Sequence, residues 1–478
     1  MTGLEHFDIC VIGGGAGGLA VATGAALLGV PVALVEAGPP GADGAEDLAT
    51  ATLLAVTAQI ETARRAPGLG GAALDIDLAA VRRHVAATVA AAAPAASAER
   101  LRALGITLIE GSARFLGPDR IAVAATATET TGTRTIRARR FVIATGGRMA
   151  MPAIPGLDQV PFLTTAGLAA LNRLPDHLAI VGSGAEALEW AQAYRRLGSA
   201  VTVIDAGNLL GDEDPELVDL LLLRLRAEGV RLLAGTPVRE IAQAAGTIVL
   251  TVGSAKTTET IEASHVLIAA GRRPAVAALG LDAAGVTASA DGIVVDRSLR
   301  TTNRRIYALG EAVAPCHRAQ DAAAQAGIVL RQILFRQRPQ YDPATLPRVV
   351  QTDPALAHVG LTERQARATS KFVTILRCPL HDIDRARAER QAHGLVKVVA
   401  GKNGRILGVG IVGPRAEELI QVWQLSIAQR LKIGALANLA TPYPTLGEAS
   451  KRAAGSFFTP KLLSARTKKL VRWLTTFG

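Results

Sequence analysis

Two glycine-rich turns carry the strongest chemical signal in this chain. Residues 7–38 read FDICVIGGGAGGLAVATGAALLGVPVALVEAG, and residues 176–207 read DHLAIVGSGAEALEWAQAYRRLGSAVTVIDAG. An offset of 169 puts Gly13 on Gly182, Gly15 on Gly184, Gly18 on Ala187, Gly29 on Gly198 and Glu36 on Asp205. Each copy reads as a short apolar strand, a glycine turn, a stretch of helical period and a second apolar strand ending in an acid. The first Gly makes the tight turn, the second lets backbone N–H groups reach a pyrophosphate, and the third position allows close helix–strand packing. The helix N-terminus adds partial positive charge for phosphate, and the closing acid accepts hydrogen bonds from a ribose. One GxGxxG is a weak signal, and a ligand-free glycine turn is its plain alternative; two copies at matched spacing imply two dinucleotides. After Asp205 comes Ala-Gly-Asn, with no Arg to receive a 2′-phosphate, so the second site favours NADH, with NADPH kept open.

The elements that must position these turns follow from length and pattern. At 478 residues the chain exceeds one ordinary core, and a prior of about 150 residues per domain suggests three units. With 49% hydrophobic residues, 3% aromatic and 48 glycines, the composition fits a layered α/β architecture. RFVIATGGRMAMP (140–152) and HVLIAAGRRPAV (265–276) are apolar strands ending in Gly-rich turns. RRIYALGEAV leads through another turn into a long helix from about residue 319. The second repeat therefore sits between two parts of the first domain. A Pro-rich linker at 338–347 precedes a third pattern of strands and helices with no glycine fingerprint. The expected division is 1–150 with 272–340, 151–271, 345–457, and a basic tail at 458–478. The Ala-rich stretch from Thr57 to Ala103 reads as helix-forming.

Charge and cysteine usage narrow the partners. The net charge is +11 and the pI about 10.0, but the basic residues are mostly Arg, spread along the chain without an aromatic-studded stripe, so no nucleic-acid partner is expected. Cys10, Cys316 and Cys378 stand far apart, the eight histidines are scattered, and neither a disulfide scaffold nor a metal site is indicated. The N-terminus lacks the basic region of a signal peptide, and no run of about 18 apolar residues occurs, so a cytoplasmic protein is expected. In the tail, Lys461, Arg466, Lys468, Lys469 and Arg472 meet no acid and alternate with Leu462, Leu463, Leu470, Val471, Trp473 and Leu474. That is the composition of an interfacial helix drawn to anionic lipid, which adds peripheral membrane contact to the expectations. An extra packing helix is the bland alternative.

With these residues in hand, the chain resembles the flavoprotein pyridine nucleotide–disulfide oxidoreductases, the family of dihydrolipoamide dehydrogenase, glutathione reductase and mercuric reductase. The likeness covers nearly the whole length. Its marks are the glycine motif at 13–18, ATGGR at 144–148, the second motif at 182–187, GRRP at 271–274, TNRRIYALGEAV at 302–313, QTDPALAHVGLTERQA at 351–366 and PYPTLGE at 442–448. The resemblance implies two Rossmann-like dinucleotide-binding domains, the second inserted in the first, plus a C-terminal α+β domain that makes a homodimer. It implies FAD in the first site and NAD(P)H in the second. Carried over, Gly13, Gly15 and Gly18 hold the FAD pyrophosphate and Glu36 its ribose, with Ala113, Thr145, Gly146, Gly271 and Gly310 also around the cofactors. Glu311 stands where the family has Asp against the ribityl chain. Gly182, Gly184 and Asp205 hold the nicotinamide nucleotide, and Glu189 matches a Glu near the flavin–nicotinamide contact. The helix after Glu311 is expected to aim its N-terminus at the flavin.

One stretch breaks the pattern. Residues 40–56, PGADGAEDLATATLLAV, contain no cysteine, although the family carries C-x-x-x-x-C and then Lys there. Anchored on Leu53–Leu54, the two thiol positions fall on Ala42 and Asp47 and the Lys on Ala51; a one-residue shift puts Glu46 in place of Asp47. The family's acid–base His aligns with Tyr443, while its partner Glu448 remains. Hydride transfer to flavin needs only stacking and orientation, but the dithiol step cannot follow. The resemblance thus implies an FAD-dependent, NADH-oxidising homodimer that passes electrons directly to a small-molecule acceptor: a quinone, a dye, oxygen or a metal complex. A flavin-binding dimer that scaffolds a partner is the alternative. Asp47, Glu189, Tyr443 and Glu448 are the candidate catalytic residues. Two of them have a plainer reading: Asp47 as a helix-capping acid, Tyr443 as a packed interface aromatic. Glu186 replaces an apolar residue next to the nicotinamide, or points to solvent. Cys316–His317 are adjacent and rarely share a face, and Cys10 reads as a small core residue.

Overall fold

The computed structural model describes residues 4–66, 68, 74–125, 133–169, 171–244, 246–254, 257–313 and 319–476. The first sheet grows around the strand Leu4–Ile12, which pairs in parallel with Val32–Glu36 on one side and Arg134–Ile143 on the other. Ile106–Glu110 extends it beyond Val32–Glu36. The long strand Arg134–Ile143 takes the antiparallel hairpin Ser112–Gly117/Arg120–Ala124 along its first half, and Ile306–Ala308 in parallel along its last three residues. Ile9, Cys10, Val11 and Ile12 are buried together, as an apolar run in a doubly covered parallel sheet must be. The return of Ile306–Ala308 after some 160 intervening residues makes the second unit an insertion in the first.

That inserted unit repeats the same plan. His177–Val181, Ala200–Ile204, Arg231–Leu233 and His265–Ile268 form a parallel sheet, beside a three-stranded antiparallel sheet of Val238–Ala244, Thr247–Gly253 and Thr258–Ala263. The third unit is a five-stranded antiparallel sheet in the order Arg348–Val350, Ala355–Gly360, Ile406–Gly413, Leu395–Ala400, Thr374–Pro379. The helix Ala416–Ala428 packs on it through Ile420 and Trp423, whose indole donates to the Ser450 hydroxyl (3.0 Å).

The second and third units share one apolar core, in which Leu217 and Leu221 meet Val350, Leu356, Leu395 and Val412. Three polar networks lie along the same junction. Arg196 pairs with Glu228 and Asp353, each at 2.8 Å. Lys397, buried, meets Asp214 (2.9 Å), Glu216 (2.8 Å) and Glu363 (2.8 Å). Arg348 donates to Glu213 (2.8 Å) and approaches Nδ1 of the buried His358 (2.9 Å). The helix Ala42–Arg65 joins this assembly through Leu53, packed among residues of the helix Ala185–Leu197. Among the described residues no helix is long and apolar enough to cross a membrane.

Burial and the Arg348 cation pull His358 down from 6.5 to about 4. The unfolded chain therefore takes up a proton that the fold refuses, so the full stability holds above pH 6.5 and is lost as pH falls toward 4. The loss is on the order of 3 kcal/mol. Denaturant unfolding at pH 7.5 and pH 4.5 should show this drop in the wild type and a clearly smaller one in His358→Gln.

Candidate cofactor and electron-transfer site

Each glycine turn is held by a neighbouring carbonyl. Gly13 (φ +106°) and Gly182 (φ +147°) lie in conformations that side chains resist. A β-carbon at 13 would stand 2.2 Å from the Ala144 carbonyl oxygen, and one at 182 would stand 2.0 Å from that of Ala269. The third positions differ. A β-carbon on Gly18 would meet the Gly13 carbonyl at 1.9 Å, whereas Ala187 fits, fully buried. The helices Ala16–Ala26 and Ala185–Leu197 begin at Gly15 and Gly184 with no side-chain cap, leaving first-turn N–H groups for phosphate.

Each closing acid is held by backbone N–H groups of the turns around it. Glu36 accepts from the Gly14 N–H and from those of Ala37 (2.8 Å) and Gly38 (3.0 Å). Asp205 accepts from Gly207 at 2.7 Å. One cleft of about 1600 Å³ connects the two turns, running by Gly15, Gly146, Gly271, Gly310 and Glu311 to Gly184 and Asp205. Beside it the Thr145 hydroxyl is buried without a hydrogen-bond partner. An orphaned hydroxyl, an uncapped helix end and a turn that admits no β-carbon together fit FAD in the first half of the cleft. Ala113 is different: its side chain is packed in the core of the first sheet, paired opposite Val123, and does not line the cleft.

Arg272, within GRRP, and Asp43, within the thiol-free stretch, carry no role in the sequence pattern. Arg272 donates Nε to Glu311 (2.9 Å) and a terminal nitrogen to the Gly147 carbonyl (2.7 Å). Asp43, in the first turn of the helix Ala42–Arg65, places a carboxylate oxygen 2.9 Å from where a Gly15 β-carbon would stand. Asp47 lines the same cleft, its pKa raised by desolvation and then by the Asp43 charge, with Arg272 opposing. Glu46 is raised for the same reasons. Glu186 also faces the cleft and is raised by desolvation, against a hydrogen bond with Thr165. These groups can hold or release a proton nearer neutrality than an ordinary carboxyl.

The other candidates lie apart. Glu189 lines the cleft and accepts from the Gln351 N–H (2.6 Å), in the third unit. Tyr443 is exposed and donates to Asp384 (3.0 Å), outside the cleft. Glu448 has one buried carboxylate oxygen without a hydrogen-bond partner and the other 3.7 Å from Arg452. Within one protomer neither Tyr443 nor Glu448 is brought to Asp47. Cys316 and His317 lie outside the described residues. Cys10 is buried in the first sheet, its thiol pushed far up by burial; burial also pushes the Cys378 thiol up to about 11. Among the described residues no group of His, Cys, Asp and Glu is placed to hold a metal ion.

A double dinucleotide cleft with a third, sheet-based unit defines a class, and the comparisons agree with it. The pyridine nucleotide-disulphide oxidoreductase model matches residues 7–326, and the dimerisation domain of the same family matches 346–454. The chain belongs to this family of FAD-dependent, NAD(P)H-using oxidoreductases. A mercuric reductase from Streptomyces lividans is 32% identical over 94% of this chain and 96% of its own length. Another from Bacillus cereus is 31% identical over 95% of this chain and 72% of its own. Among solved structures, LpdA from Mycobacterium tuberculosis superposes with a TM-score of 0.85 at 27% identity, covering 95% of this chain and all of its own. The HOCl-induced flavoprotein disulfide reductase RclA from Escherichia coli, as a Cu(II) complex, gives 0.82 at 25% identity over 95% of this chain and 100% of its own.

The 1.9 Å approach at residue 18 makes a sharp test. Gly18→Ala should purify with its flavin absorbance per protein largely lost while far-UV circular dichroism shows a folded chain; Ala187→Gly should keep the flavin.

Proposed function

We propose that the protein oxidises NADH and passes the electrons to a small-molecule acceptor that is not a disulfide, with quinones as the leading class. The observation that carries this reading is the pairing of two intact dinucleotide turns with Ala42 and Asp47 at the thiol positions of the family. Bound FAD supplies the chemistry of accepting a hydride and releasing the electrons again. The chain does the rest. The uncapped helix ends at Gly15 and Gly184 hold phosphates, and Glu36 and Asp205 hold riboses. Arg272 fixes Glu311 and offsets the surrounding acids, while Asp47 supplies a proton as the acceptor is reduced. The relatives are named mercuric reductases; the absence of cysteine in residues 40–56 argues against a thiol-based reduction of that ion here.

The alternative, a flavin-containing dimer that serves as a scaffold, draws on Glu186, an acid beside the expected nicotinamide position. The tail supports a place for the enzyme: the helix Ala465–Leu474 exposes Leu470, Val471, Trp473 and Leu474 among basic residues, as contact between a cytoplasmic protein and an anionic membrane surface requires.

Anaerobic titration followed by visible absorbance decides between the two readings. NADH should bleach the flavin band, more readily than NADPH, and a neutral quinone should restore it, whereas lipoamide and glutathione disulfide should not. A band that neither nucleotide bleaches would leave the scaffold reading. Truncation after Ser456 should abolish co-sedimentation with phosphatidylglycerol vesicles; undiminished binding would remove the membrane assignment.

A further inference from the structure

The sequence offset that relates the two glycine turns also relates the loops that close them. In the first unit the Gly41 N–H donates to the Gly14 carbonyl (2.8 Å), and in the second the Leu210 N–H donates to the Ser183 carbonyl (2.9 Å). Both donor residues are left-handed, Gly41 at φ +79° and Leu210 at φ +50°. Two residues further on, each loop carries an acid, Asp43 or Asp212. There the likeness stops. Gly41 caps the helix Ala42–Arg65, so Asp43 stands in a first helical turn that is tied directly to the glycine turn. Asp212 lies in a turn ahead of the helix Pro215–Ala227, where its charge acts on Arg348.

The two units part at the second glycine of each motif, the one whose missing β-carbon lets a pyrophosphate come close. Beside Gly184 that space is open: a β-carbon there would meet nothing within 4 Å. Beside Gly15 it is taken, with an Asp43 carboxylate oxygen 2.9 Å from the same point. This oxygen also lies 3.7 Å from where a Gly146 β-carbon would stand, so it reaches from the helix end toward the ATGG turn. Arg272 and Arg273 line the cleft, but among the described residues neither forms an ion pair with Asp43. Arg272 feels the Asp43 charge and donates instead to Glu311 (2.9 Å) and the Gly147 carbonyl (2.7 Å).

We propose that Asp43 gates the flavin site: its carboxylate and the FAD pyrophosphate compete for one place on the first turn, and Asp43 must turn away for the dinucleotide to bind. The inference rests on flavin in the first unit and is independent of the electron acceptor. The helix end that favours phosphate also favours this carboxylate, so the chain supplies its own competing anion. Like charges this close oppose each other strongly even near a protein surface. Asp43 is exposed in the cleft, so its side chain can leave Gly15 while the Gly41–Gly14 hydrogen bond keeps the helix in place. The flavin is then an exchangeable ligand, loaded according to its free concentration, whereas the second turn stands open to its nucleotide.

The test reads flavin release from the full-length protein and needs no turnover. Purified protein is diluted from micromolar to nanomolar concentration, and the fluorescence of freed FAD gives its Kd. Asp43→Asn, which keeps the shape and removes the charge, should tighten FAD at least about tenfold. Asp43→Ala, which removes both, should do the same. Glu46→Gln removes another cleft-lining acid one turn further along the same helix, and should change the Kd by less than about twofold. Far-UV circular dichroism checks that each variant is folded. Folded Asp43 variants with wild-type or weaker affinity, or an equal tightening by Glu46→Gln, overturn the gate and leave the flavin site standing. If neither the wild type nor Asp43→Asn takes up flavin at saturating FAD, the flavin assignment falls and the gate falls with it.

Discussion

At residues 13 and 182 a backbone carbonyl occupies the space in which any other residue would carry its β-carbon. The whole cleft depends on that contact. The carbonyls belong to Ala144 and Ala269, each just past the strand beside the turn, so each turn is pressed against its neighbour where the sheet changes direction. A crevice opens outside the carboxyl ends of the strands at such a point. The helix ends, the closing acids and the orphaned Thr145 hydroxyl all take their positions from it. Both units use the same device, and one cleft runs between the two turns.

The repeat was legible because glycine has few substitutes in that geometry, and because a buried parallel strand needs an unbroken apolar run such as ICVI or LAIV. The third position was less telling: Gly18 has no room for a methyl group, while Ala187 occupies its counterpart without conflict. Pairings between distant charges were not legible. Arg272 and Glu311 are 39 residues apart, and Lys397 lies more than 180 residues from Asp214; only packing brings them together. Alignment placed Tyr443 at an active position, but its hydroxyl turns to Asp384 in the same protomer. Ala113, expected around the cofactors, has its side chain in the core of the first sheet.

Global charge and local charge disagree in this molecule. The chain is strongly basic overall, yet the cleft gathers Asp43, Glu46, Asp47, Glu186 and Glu311 around Arg272. Long-range attraction would bring anions to the surface, while inside the cleft the glycine turns receive phosphate and the carboxylates around Arg272 disfavour further negative charge beside them. An overall pI therefore describes the approach of a ligand, and the arrangement of a few carboxylates describes its admission.

The helix Ala42–Arg65 is anchored by its middle, through Leu53 in the core shared with the second and third units, with Leu54 and Ile60 packed against that core. The residues at the family's thiol and lysine positions, Ala42, Asp47 and Ala51, all come before that anchor. A scaffold so arranged separates persistence from reactivity along one helix: later turns keep the fold together, and earlier turns define the reaction. Mutation can then rewrite the earlier turns repeatedly while the load rests further on, so a reductase lineage can lose its thiols and keep its architecture.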